Sequence, residues 1–193
     1  GAWIGPTTLY AARKCKKVYC FEPDMVAYRS LLKNIYSNSL YNVIPLNVAL
    51  TPKSGIREMS SFGSSLGDSK TSLLAKREGK GKESTDVYCM SWDDWISLYN
   101  PDHIDFMKID IEGGEFDFIP SIKEYLRLYR PIVYLSLHAP YLENEVREEK
   151  VQDIIDAMGD YNRCYNEKLQ LIDPKELLNK ESLHDFTSYV FCD

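Results

Sequence analysis

The chain has 193 residues, 44% hydrophobic and 27% charged, a globular composition long enough for one sizeable core. Its net charge of −6 and pI near 5.2 leave nothing to offset phosphate repulsion, which argues against nucleic acid as a partner. No apolar run approaches the roughly 20 residues that span a bilayer, so a single cytoplasmic domain over residues 1–193, with no membrane partner, is expected.

Cys15, Cys20, Cys89, Cys164 and Cys192 are odd in number and widely spread, as reduced thiols of a cytosolic protein would be. With no Cys-x-x-Cys pair, and with His103, His138 and His184 scattered, the sequence carries no zinc-site signature.

Gly1-Ala2-Trp3-Ile4-Gly5-Pro6-Thr7-Thr8 opens on two glycines, with a helix-like run through Leu9, Ala11 and Ala12 behind them. Such a turn lets backbone approach a ligand, and Pro6 suits a first helical turn. Val18-Tyr19-Cys20-Phe21 reads as a strand ending at Glu22-Pro23-Asp24. An acidic residue about 20 positions past a glycine turn is the arrangement that binds ribose hydroxyls in nucleotide-binding α/β folds, which makes Glu22 a ribose candidate. Asp24 caps a helix with the stripe Tyr28, Leu31, Leu32, Ile35, and Val43-Ile44-Pro45-Leu46 is the next strand. The alternation argues for a parallel sheet with helical crossovers.

Residues 51–86 break that rhythm with serine and glycine clusters, the composition of a lid or binding loop, with a short strand possible over Ile56 to Phe62. Lys and Arg cluster at 76–82, where a solvated loop is the simpler reading. A strand at Val87–Met90 and a helix carrying Trp92, Trp95, Ile96 and Tyr99 follow.

The chain is organised around Lys108-Ile109-Asp110-Ile111-Glu112-Gly113-Gly114-Glu115, where a strand over residues 104–109 hands over to a helix carrying Phe116, Ile119, Ile122 and Leu126. Ligands of open α/β sheets bind beyond the carboxyl ends of strands, so Asp110 and Glu112 are candidate site residues. The competing reading is that these carboxylates only favour the helix start. Ile132–Leu137 is an unbroken apolar run, as in a strand covered on both faces, and delivers His138 to the same sheet edge, where a neutral imidazole suits a general base. A long helix through Val151, Ile154 and Met158 closes at Gly159. Short strands then follow at 161–165 and 169–172, with a short helix at 174–179 and an alternating end at 186–191 that suggests an antiparallel edge partner.

Together, Gly1 to Leu9, Cys20-Phe21-Glu22-Pro23, Asn47-Val48-Ala49-Leu50 and Met107 to Glu115 resemble the FkbM-like methyltransferases, class I enzymes dependent on S-adenosylmethionine. The resemblance implies an α/β, three-layer Rossmann-like sheet of seven strands, mostly parallel with an antiparallel C-terminal strand. It implies that the Gly1 to Gly5 turn, Trp3 included, faces the methionine part of S-adenosylmethionine, that Glu22 holds the ribose, that Val48 and Ala49 lie by the adenine, and that Thr8 and Pro23 also bind the cofactor. Asp110 and Glu112 then face the methyl-transfer cavity, Asp110 also toward the cofactor, and the usual acceptor is a small-molecule hydroxyl, often on a sugar or natural-product intermediate. Trp3 stands where asparagine is usual in the family. The sequence as given opens at the turn, without the family's first strand, so weak cofactor binding and low activity are expected of this stretch alone.

Methyl transfer to oxygen needs a base, and Asp110, Glu112 and His138 are the candidates. Metal catalysis ranks lower, because two carboxylates alone make a poor cage. Two rival readings stand beside methyl transfer. A nicotinamide-dependent oxidoreductase wants a third glycine where Thr8 stands, and a catalytically silent scaffold would keep the fold alone.

Overall fold

In a computed structural model of the chain, residues 1–63, 65–74 and 83–193 are described. They form two compact units, one of the described residues in 1–73 and 83–91, the other of Leu74 and 92–193. The basic cluster at 76–82 lies outside the described residues, apart from which no helix is long and apolar enough to cross a membrane.

In the first unit α1 (Pro6–Ala12) leads to β1 (Val18–Phe21), α2 (Met25–Ser37) and β2 (Val43–Leu46). Pro6 occupies the first turn of α1, where its missing N–H removes no helical bond. Asp24 caps α2 by accepting from the N–H groups of Val26 and Ala27. The predicted stripe buries Leu31 and Ile35, with Ala27 beside them, against Ala12, Cys20 and Val43. β1 and β2 pair in parallel, Val18 opposite Val43 and Phe21 opposite Leu46.

Gly5, at φ +100, caps α1 in the left-handed region, and a Cβ there would lie 2.7 Å from Leu31 Cδ1. Gly5→Ala therefore meets backbone strain and overpacking together, and a loss of about 1–3 kcal/mol is expected. Urea midpoints check this; a change under about 0.3 kcal/mol would show that the contact relaxes freely.

β3 (Ala49–Leu50), β4 (Gly55–Ser61), β5 (Thr71–Ser72) and β6 (Ser84–Met90) make a four-stranded sheet in the order β3-β6-β4-β5. Much of the stretch expected to be a loop is thus paired, β4 with β6 from Gly55–Cys89 to Ser60–Ser84, both antiparallel. Met59, Val87, Cys89 and Ala49 form its core.

The second unit runs α3 (Trp92–Tyr99), β7 (Phe106–Ile109), α4 (Glu115–Ser121), α5 (Lys123–Tyr129), β8 (Ile132–Leu137), α6 (Asn144–Ala157), β9 (Arg163–Asn166), β10 (Leu171–Ile172), α7 (Lys180–His184) and β11 (Thr187–Cys192). The single helix expected after Gly114 is two. Pro120 has no N–H to continue the ladder, and Ile122 leaves helical geometry at φ −108, ψ 14. Trp92 packs on Trp95 at 4.8 Å and edge-on to Tyr125 at 4.8 Å.

The sheet order is β10-β9-β11-β8-β7, with β7 parallel to β8 and β11 antiparallel to both β8 and β9. The closing strand is therefore antiparallel, as expected. Across the described residues, however, only β1–β2, β3–β6 and β7–β8 pair in parallel. The sheets are mixed rather than mostly parallel. β8 also differs in detail: Val133, Leu135 and Leu137 are fully buried while Ile132 is 43% exposed, so one face is covered more completely than the other.

Candidate functional site

In the first unit the glycine turn and the end of β1 are joined by backbone. Ala2 N–H donates to Phe21 O at 3.0 Å, and Gly5 N–H to Ala2 O at 2.9 Å. Trp3, at φ +49, is held in the left-handed region. Its N–H donates to Glu22 Oε2 at 2.7 Å, while Asp24 N–H donates to Glu22 Oε1 at 2.9 Å. Glu22 is buried, and burial pushes its carboxyl above the usual range against the pull of those N–H groups. Asn47 Nδ2 donates to the carbonyls of Glu22 and Pro23, which fixes the strand end.

Other cofactor candidates are less available. Thr8 is buried and bonded to Cys20, whose thiol is pushed up to about 11 by burial. Val48 and Ala49 are buried too. Gly1 is exposed, and Trp3 is partly exposed, its indole N–H donating to Gly67 O at 3.0 Å. Gly67 N–H in turn donates to Asp24 Oδ2 at 2.6 Å.

In the second unit β7 and β8 run in parallel, Ile109 opposite Leu135, so Asp110 and His138 emerge from the same end. Glu112 follows in the left-handed region at φ +54 and Gly113 at φ +97, where a Cβ would lie 2.2 Å from Leu74 Cδ1. This tight turn brings the three catalytic candidates together. His138 Nε2 lies 3.6 Å from Asp110 Oδ1 and 3.6 Å from Glu112 Oε1.

Glu115, fully buried, holds the arrangement in place. Its Oε1 accepts from His138 N–H at 2.8 Å and lies 2.9 Å from His138 Nδ1, and its Oε2 accepts from Gly113 N–H at 2.9 Å. A carboxylate only accepts, so Nδ1 carries the proton and Nε2 is the atom presented to Asp110 and Glu112. Burial opposes charge on His138, yet the hydrogen bond to Glu115 and the charges of Glu115, Glu112 and Asp110 outweigh it and raise the imidazole above its ordinary value. Burial also opposes charge on Asp110, but Lys108, whose Nζ is 2.9 Å from Oδ2, holds that carboxyl below its usual range. Tyr141 stacks on His138 at 5.4 Å and 17°, and Phe186, 59% exposed, lies 5.7 Å from the same ring.

Sequence reasoning brought Asp110, Glu112 and His138 forward and the structure places them at one point. It missed the roles of Glu115 and Asn47. Glu115 was visible only as an acid in a first helical turn, and nothing in its spacing shows that it reaches back to the end of the next strand.

A protein of this α/β class has a solved counterpart. The crystal structure of methyltransferase FkbM from Methylobacillus flagellatus KT is similar over 99% of this chain and 41% of that chain, with a TM-score of 0.60 at 16% identity, a likeness of fold. The methyltransferase FkbM domain matches residues 1–166, and the chain belongs to that family, as its motifs indicated. It is also 29% identical over 162 residues to methyltransferase sdnD of Sordaria araneosa, a match that spans 69% of this chain and 62% of that protein's length.

Proposed function

We propose that this protein transfers a methyl group from S-adenosylmethionine to a hydroxyl of a sugar or natural-product-like small molecule. One observation carries the reading beyond the family. Two carboxylates and an oriented imidazole gather where parallel strands end, within 3.6 Å of His138 Nε2. An ordinary hydroxyl barely ionises at neutral pH, so the acceptor must lose its proton as it attacks. Asp110, Glu112 and His138 are the groups to take it. The rings of Tyr141 and Phe186, edge to face with centroids 5.0 Å apart, offer an apolar corner against which a cyclic acceptor rests while its oxygen is aimed.

S-adenosylmethionine supplies the electrophilic methyl group. The residues of the first unit fit its nucleoside: each oxygen of Glu22 takes one backbone N–H and keeps acceptor capacity for a ribose diol. Trp3 reaches Glu22 through its backbone N–H, and the Gly1–Gly5 turn, Pro23, Val48 and Ala49 complete the cofactor assignment that the family resemblance implies. Glu22→Gln halves the acceptor capacity and removes the charge, so a roughly tenfold weaker affinity for S-adenosylhomocysteine is expected by calorimetry. Unchanged affinity would remove Glu22 from the ribose role.

The reading as a whole is tested with labelled S-adenosylmethionine and a panel of sugars, glycosides and other hydroxylated compounds. Acceptor-dependent label on oxygen is expected. Cofactor binding with no labelled product from any acceptor would favour a binding domain, and oxidation of an alcohol with a nicotinamide would overturn methyl transfer.

A further inference from the structure

We infer that Asp110, Glu112 and His138 form a binding site for one divalent cation of the Mn²⁺, Fe²⁺ or Zn²⁺ kind. The three offer one ligand atom each, all within 4.8 Å of one another. His138 Nε2 stands 3.6 Å from the nearest oxygen of each carboxylate, too far for a hydrogen bond. The same spacing suits a shared ion. At metal–ligand distances of about 2.0–2.2 Å, two donors 3.6 Å apart subtend about 110–130° at the metal, so His138 can share an ion with either carboxylate, and the ligand atoms, all within 4.8 Å of one another, need only draw slightly together to hold one ion jointly.

The imidazole supplies a second, independent observation. The His138 side chain is 9% exposed, and its Nε2, aimed at the two carboxylates, has no hydrogen bond to either. Its Nδ1 is held by the fully buried Glu115 at 2.9 Å. A carboxylate on the far ring nitrogen is the outer-shell arrangement that fixes the tautomer and orientation of a metal-ligating histidine. Lys108 engages Asp110 through Oδ2, and Oδ1 is the atom turned toward His138.

Ligand chemistry narrows the ion. Mg²⁺ and Ca²⁺ prefer cages of oxygen alone, whereas one imidazole with two carboxylates suits the transition-metal group. Three protein ligands leave at least one position open, as in catalytic rather than structural metal sites. Asp110 is 33% exposed, which puts the open side toward solvent. Two carboxylates made a poor cage in sequence; His138 is the third donor, which only the pairing of β7 with β8 brings within reach.

The inference stands on this geometry and does not require methyl transfer. If both hold, the cation sits where the acceptor hydroxyl loses its proton, and its charge eases that loss.

The test is calorimetric titration of the protein with Mn²⁺ alone, repeated with Zn²⁺, without cofactor or acceptor. One site per chain is expected, weakened at least tenfold by Asp110→Asn, by Glu112→Gln and by His138→Ala. Asp117→Asn, which alters an exposed ion pair with Lys150 on the outside of α4, should leave it unchanged. Circular dichroism melts confirm that each variant is folded, and Asp110→Asn, a nearly isosteric change at a partly exposed side chain, keeps the test decisive if His138→Ala is not. Failure to bind either ion up to millimolar concentration, or binding undiminished by Asp110→Asn and Glu112→Gln, overturns the site. Binding without methyl transfer to any acceptor would uphold the site and end the proposed function. Transfer at full rate by EDTA-treated protein that binds neither ion would do the reverse.

Discussion

His138→Ala is expected to slow acceptor methylation by about 10²- to 10⁴-fold, the range that a positioned proton-transfer group supplies. The imidazole is the point at which the site converges, with Asp110 and Glu112 each 3.6 Å from Nε2 and Glu115 fixing the opposite nitrogen. Removing the ring leaves two carboxylates without the group that stands between them, whether the imidazole takes the proton or holds a cation. Affinity for S-adenosylhomocysteine should change by less than about threefold, because the ribose role is assigned to Glu22, so the loss should appear in kcat. Initial rates with labelled S-adenosylmethionine decide it. A fall of only a few-fold would show that the chemistry is done elsewhere.

Glu115→Ala should be the most damaging single substitution for folding near the site, at about 3–5 kcal/mol. The side chain is fully buried and satisfies Gly113 N–H, His138 N–H and His138 Nδ1 at 2.8–2.9 Å. Alanine strands two backbone donors and an imidazole away from water, and each unpaired buried donor costs about 1–3 kcal/mol. Glu115→Gln keeps the shape and one acceptor and should lose less than half as much. Urea denaturation provides the comparison, and a loss below about 1 kcal/mol for the alanine variant would mean that water or a rearranged turn replaces the carboxylate.

The contrast between these residues shows what the sequence carried. Asp110, Glu112 and His138 were legible because strand ends announce themselves: a short apolar run, then a polar residue, at the edge where α/β sheets bind ligands. Glu22 and Asp24 were legible for the same reason, and Asp24 does cap α2. Glu115 sits two residues past a left-handed Glu112, and its partner lies 23 residues further on. No local pattern encodes that reach. Within residues 51–86 the short strand expected over Ile56 to Phe62 is β4, but its pairing with β6 and β5 into a sheet was missed for another reason. In β4 the first four residues are all exposed and only Met59 and Ser61 are buried, so there is no apolar alternation to read, and pairing with β6 rather than periodicity makes it a strand. The mixed sheets follow from the antiparallel pairing of β4 with β5 and β6 and of β11 with β8 and β9. The break at Ile122 was written in Pro120 but hidden by an apolar spacing that runs on through it.

Asp24 divides its carboxylate between two tasks. Oδ1 receives Val26 and Ala27 at the start of α2, and Oδ2 receives Gly67 from the segment between β4 and β5. Because the two oxygens are engaged separately, the bond to Gly67 and the cap of the helix do not compete for one acceptor. Loss of the Gly67 contacts to Asp24 and Trp3 therefore carries no penalty in unwinding α2, whose cap is held by the other oxygen.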